Sequence, residues 1–328
     1  MKVVLPLRLV TAMMSLALVG CAIPRDHHTF SVYAPGSEQN PFLSTDALLT
    51  NGLVSESISY GTKGRLFEAE SRLRKALYLD SNNDGIRFNL AVVIGQGGNA
   101  EEALEILTSL RSSLGEQPYL LIATADIYNA RGDRERARTE LKKAFSTYRS
   151  AANDAQAAII ARSISNLAFA QGLEQEALCY SWEALSLAPS PQQLGAHAGL
   201  LVGLNMFSAA ESYTKSRIKE APALGASVQV HYGLSLAYVG RGDIPGALRE
   251  IEVAQDLLAE NPEVGTEVNS LWYILKSLSP DPEDTEATRQ KIQQARLDAS
   301  RLRDQPPYAL ARWPAAARDL LNKVSDPE

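Results

Sequence analysis

An all-α solenoid of helix-turn-helix units is the fold class this sequence predicts, and three observations carry the prediction. Glycines recur at a step of 34 residues, as Gly64, Gly98 and Gly132. Alanines and leucines keep phase with them, as Ala69, Ala103 and Ala137, then Leu73, Leu107 and Leu141. Tyr60, Ile94 and Tyr128 fill one slot ahead of each glycine. A fixed period of this length marks an architecture in which each unit buries its apolar face only by stacking on its neighbours. Composition agrees, with 45% hydrophobic residues but only 7% aromatic, as expected of helices packed on Ala and Leu. The net charge of −6 and the absence of a basic cluster argue against nucleic acid as partner.

The chain opens with Lys2 and Arg8, followed by an apolar run from Leu9 to Val19. At 1.5 Å per residue this run covers about 16 Å, well short of the roughly 30 Å hydrocarbon core, so it reads as a secretory signal region rather than a spanning helix. It ends in Leu18-Val19-Gly20-Cys21, which resembles the bacterial lipoprotein signal. That resemblance implies lipidation of Cys21, removal of residues 1–20 and attachment to the cell envelope. Several acyl chains would make the anchoring effectively permanent. With Ala22 after the cysteine, the resemblance favours the outer membrane, facing the periplasm. Residues 21–49 read as a lipidated tether rich in Ser, Pro, Asn and Asp, in which His27 and His28 are expected to be solvated.

Residues 50–261 hold the repeats, at 50–83, 84–117, 118–151, 158–191, 191–224 and 228–261. Small residues on the first helix of a unit (Ser57, Ala91, Ala125) face small residues on the second (Ala69, Ala103, Ala137), permitting close helix approach. The glycine between them suits the positive φ that closes a helix. Glu101 and Glu102 then favour the positive end of the next helix. The phase slips at residues 152–157, which look inserted, and resumes with Ala158, Ser165, Gly172, Ala177 and Ala184. In the fifth unit Asn205 replaces the turn glycine, a chemically mild change because Asn tolerates the left-handed region. Residues 262–278 are expected to form a capping helix, with Val264, Val268, Leu271, Trp272 and Leu275 on one stripe. Beyond it, residues 279–328 read as a polar, partly disordered tail containing a short amphipathic segment from Trp313 to Val324, with folding back on the array or contact with a partner as the alternatives.

This unit resembles the tetratricopeptide repeat, which implies a right-handed solenoid whose inner helices line a concave groove for a partner peptide or helix. Carried onto this sequence, the groove-facing register is Val54, Ile58, Phe88, Val92, Tyr119, Ile122, Asp126, Asn129, Arg162, Asn166, Phe169, Tyr232 and Leu236. Some members clamp a C-terminal carboxylate with a basic residue and Asn four apart. Arg162 and Asn166 match that pair, but Ala196, Gln229 and Gly233 do not complete it.

Catalytic motifs are missing. Gly95-Gln96-Gly97-Gly98 and Gly240-Arg241-Gly242 look like fragments of nucleotide loops, but each follows a helix rather than a strand and occupies a repeat turn. No carboxylate or nucleophile is placed beside His197 or His231, and Cys179 reads as a buried small apolar residue. The chain is therefore expected to be a non-enzymatic scaffold without metal or cofactor. Lipid signal and repeats together resemble the pilotin-type lipoproteins of type IV and tight-adherence pilus systems, implying assistance to a secretin or pilus complex. A lipoprotein serving a cell-wall or outer-membrane assembly enzyme is the alternative; an enzyme with the repeats as appendage lacks a candidate site.

Overall fold

The computed structural model describes residues 45–258, 265–278, 290, 293, 295, 297, 299 and 315–325. The signal segment, Cys21 and the His27–His28 pair lie outside the described residues. The described chain is helical, and it forms two compact units divided between Ile160 and Ala161.

The first unit holds three helical hairpins: α1 (Thr45–Gly61) with α2 (Leu66–Leu79), α3 (Asp84–Gln96) with α4 (Ala100–Leu114), and α5 (Pro118–Ala130) with α6 (Arg134–Ser150). The periodic residues become its core. Ala69, Leu73, Ala103, Leu107, Ala137 and Ala91 are all essentially inaccessible. Helix ends are closed by one recurrent turn. Gly98 takes φ +96°, and the next amide, that of Asn99, reaches back to the Ile94 carbonyl at 3.1 Å. Asp133 does the same to Tyr128 at 2.9 Å, so the slot at 60, 94 and 128 is the acceptor of a six-residue helix-ending bond. Asn99 and Asp133 then cap the following helix by accepting from Glu102 N and Arg136 N.

The apparent insertion is helix. α7 spans Asp154–Ala170, 17 residues against 13 for α3 and α5, so residues 154–157 form its additional first turn. The turn before it reuses the closing device, with Ala152 at φ +52° and Asn153 N bonded to Tyr148 O at 2.9 Å.

The second unit begins within α7 and continues through α8 (Glu174–Leu187), α9 (Pro191–Gly203), α10 (Phe207–Glu220), a 3-10 turn (Pro222–Gly225), α11 (Val228–Gly240), α12 (Ile244–Asp256), α13 (Gly265–Leu278) and α14 (Ala315–Ser325). Asn205 adopts φ +58° with Met206 N bonded to Leu201 O at 2.8 Å, the role the glycines play elsewhere.

The helix expected at residues 262–278 buries more than one stripe; Val264 lies outside the described residues. Ser270, Tyr273 and Ile274 are buried on α13 as well as Val268, Leu271, Trp272 and Leu275. The reason is that the described part of the tail covers it: Ala295, Ala299, Ala317 and Leu321 join the same core.

The small-residue contact has two chemical versions. Ser165 and Ser235 each donate to the carbonyl of the facing alanine, Ala177 and Ala247, at 2.8 Å. Ser57 is equally buried, yet its hydroxyl has no partner. Leaving a buried hydroxyl unsatisfied costs about 1–3 kcal/mol, whereas a made bond contributes about 1 kcal/mol. Ser57→Ala is therefore expected to be neutral or stabilising, and Ser165→Ala to destabilise by about 1 kcal/mol, read from urea unfolding midpoints.

Candidate functional site

In the first unit the inner helices are α1, α3 and α5. Their helix-facing sides are packed with small and branched residues, which leaves one stripe of each facing outward. On α5 that stripe is Tyr119, Ile122, Asp126 and Asn129, while Leu120, Leu121, Ala123, Thr124, Ala125 and Ile127 are buried. Tyr119 meets Phe88 of α3 edge-on, ring centroids 5.1 Å apart. Val92 and Ile58 are half-buried against the same core. Phe88 itself is 8% exposed, so only an edge of it faces outward. Val54 is fully buried and packs between helices.

Asp126 is the one acid on this apolar stripe. Its side chain is exposed, yet burial among surrounding protein pushes its pKa up to about 7. Water reaches the carboxylate from one side, while the protein gathered behind it disfavours the charged form. Among the described residues no hydrogen bond or ion pair satisfies it. The carboxylate is thus placed to accept a hydrogen bond or pair with a cation, on the same stripe as the apolar Tyr119 and Ile122.

In the second unit the anticipated residues divide. Arg162 is buried, while Asn166 is half-buried. Phe169 packs against Ala168, Ala177 and Leu200, and its ring lies over the bare backbone of Gly203. Tyr232 and Leu236 belong to the core shared with the tail, Leu236 being 2% exposed. These positions are engaged within the chain itself.

Several side chains depart from the sequence reading. Cys179 is exposed, not buried. On α8 the buried side runs through Ala177, Ser181 and Ala184, and position 179 points away from it. A carboxylate does stand beside His231: Glu250 lies 2.7 Å from its Nδ1, brought there by α12. His197 is buried with Nδ1 2.9 Å from Ser181 Oγ, against the rings of Trp182 and Tyr213. Burial depresses its pKa to about 4. Ser181 and His197 are both buried, so their contact is closed off from solvent. Among the described residues no cluster of His, Cys, Asp or Glu has the makings of a metal site. No described helix is long and apolar enough to cross a membrane.

Sequence reasoning also missed an apolar hollow of about 750 Å³ on the first hairpin, lined by Leu49, Leu53, Phe67, Arg74 and Tyr78. Phe67 and Tyr78 stand open there, at 81% and 88% exposure. Both fall on α2 at positions without a periodic counterpart, so the repeat pattern gave no signal for them.

A tetratricopeptide-repeat model matches residues 118–143 and 228–252, which are the α5–α6 and α11–α12 hairpins. A tetratricopeptide repeat protein from Parabacteroides merdae is similar at 18% identity, over 85% of this chain and all of that one, with a TM-score of 0.54. This is a tetratricopeptide-repeat fold. Looser likenesses, both below half in TM-score, include PilF of Pseudomonas aeruginosa and YrrB. PilF is 16% identical, covering 67% of this chain and 95% of that one at 0.48. YrrB, described as having an unusual peptide-binding site, is 15% identical, covering 58% and 93% at 0.39. No curated protein matches the sequence. The tetratricopeptide-repeat fold accounts for the paired helices, the small-residue contacts and the turn chemistry.

Proposed function

We propose that this chain is a lipid-anchored scaffold of the bacterial envelope that binds a partner peptide or helix along α3 and α5 and assists assembly of a secretin or pilus complex. The observation that carries the binding reading is the outward stripe of α5, where Tyr119, against the Phe88 ring, and Ile122 are followed by an exposed Asp126 with no protein partner among the described residues. Aromatic anchors next to a single polar group are a common form of recognition surface. The address rests on the Leu18–Cys21 signal, and the secretin or pilus client on its combination with the repeats. A lipid anchor would confine the groove to a surface and raise the partner's effective concentration there.

Two measurements test this. A photocrosslinking residue at Tyr119, followed by mass spectrometry from cells, is expected to recover a secretin or pilus subunit. Replacing Phe88 and Tyr119 together by Ala should weaken that capture at least tenfold. Recovery of a wall-synthesis enzyme would redirect the client, and unchanged capture by the double variant would remove the groove. Separately, Cys21→Ser is expected to abolish lipid labelling and membrane fractionation; a variant that stays lipidated refutes the anchor.

A further inference from the structure

The C-terminal helix α14 lies where a ligand of the second unit would lie. It packs chiefly on α11, the inner helix of its hairpin, and on α13. Its sequence Ala315–Ser325 is amphipathic, with Ala317 and Leu321 buried, Leu320 half-buried, and Arg318 and Asp319 exposed. Ala317 and Leu321 enter the same core as Leu236 and Trp272, with Tyr232 packed against it. Tyr232 and Leu236 hold the places on α11 that Phe88 and Val92 hold on α3, fifth and ninth in their repeats, and here α14 packs on that helix and shares the core they belong to. On the first unit the matching face of α3, around Phe88 and Val92, carries no such helix among the described residues.

We propose that α14 is an internal ligand, seated in the groove formed by α11 and α13 and displaced when a partner helix of the same pattern binds. That partner would be an amphipathic helix presenting a small residue and a leucine four positions apart. This deepens the scaffold reading and rests on its premise that inner helices are the binding face. The seat is small, since one alanine, one leucine and part of a second leucine make the described contact. Covalent attachment supplies a local concentration in roughly the millimolar range, so a weak contact stays occupied until a stronger competitor arrives.

The test uses a fluorescein-labelled peptide of residues 311–328 as probe, read by anisotropy. It is added to the full chain, to a chain ending at Pro314, and to the full chain carrying Leu321→Asp. Both opened forms are expected to bind at least tenfold more tightly than the full chain, and a peptide carrying Leu321→Asp should not bind. Opening should also red-shift the emission of Trp272, which is 3% exposed when the seat is filled. Equal binding by all three chains overturns the proposal. So does absence of binding to opened forms that remain folded by circular dichroism. Unfolding of both opened forms overturns it too, because α14 would then be an integral part of the core. Crosslinking at Tyr119 reads the first unit independently, so a failure here with capture there removes only the internal ligand.

Discussion

Replacing Gly195 by valine is expected to cost about 3 kcal/mol, a large fraction of the stability of a typical domain. Gly195 lies on α9 where it crosses α11. A Cβ built there would stand 2.7 Å from Gln229 Cβ, 3.1 Å from the Gln229 carbonyl carbon and 3.2 Å from Val230 N. Two of those three neighbours are backbone atoms, which a rotamer change cannot move. A Cβ built on Gly233 of α11 would likewise stand 3.3 Å from Ala198 Cβ. Even Gly195→Ala is expected to destabilise, although alanine gains about 1 kcal/mol over glycine in helix propensity. The control is Gly52→Ala on α1, where, among the described residues and apart from its own helix backbone, nothing lies within 4 Å of the added carbon. That variant should be neutral or slightly stabilising. Urea unfolding followed by tryptophan emission and circular dichroism distinguishes the two, and a Gly195→Val protein with unchanged midpoint would refute the close approach.

Acid is expected to weaken the second unit through His197. Burial holds its pKa at about 4, against an ordinary value of 6.5, so the folded state favours the neutral ring. The stability linked to this group is fully present above pH 6.5 and is lost as pH falls from there toward 4. At 1.36 kcal/mol per unit this amounts to about 3 kcal/mol over the window. Glu267 acts in the opposite sense, because burial raises its carboxyl and its stabilising protonated form fades as pH rises. The comparison must therefore be between the native chain and a variant at His197. His197→Leu with Ser181→Ala removes both the ring and the hydroxyl it holds, leaving no orphaned group. Its unfolding midpoint should depend less steeply on pH between 6.5 and about 4. Trp182, whose ring lies 6.1 Å from that of His197, is a convenient local reporter. Identical pH slopes in the two proteins would refute the role of the buried ring.

The repeat period was legible because each repeated position answers a local demand. Gly98 closes a helix and Ala103 permits helix contact, and both requirements recur wherever the hairpin recurs; the Asn99 cap does not, since Arg65, Leu173 and Met206 stand in its place without a side-chain bond. Asn205 was legible for the same reason, as a residue that tolerates the glycine's conformation. The candidate groove was legible only as a register. Tyr119, Ile122 and Asp126 do share an outward stripe, but nothing in that spacing reveals that Val54 and Leu236 are buried. Asp126 illustrates the difference: its place on α5 follows from helical periodicity, while its desolvation depends on the protein gathered around it.

What the sequence by itself determined is the hairpin, its period and its turns, since these rest on contacts between residues close along the chain. The tertiary structure alone decided three other things. It brought Glu250 to His231, laid Gly195 of α9 against the backbone of α11, and returned Ala317 and Leu321 to the core of α13. Each joins residues from separate elements whose meeting no local periodicity encodes. Burial, not spacing, chose their partners.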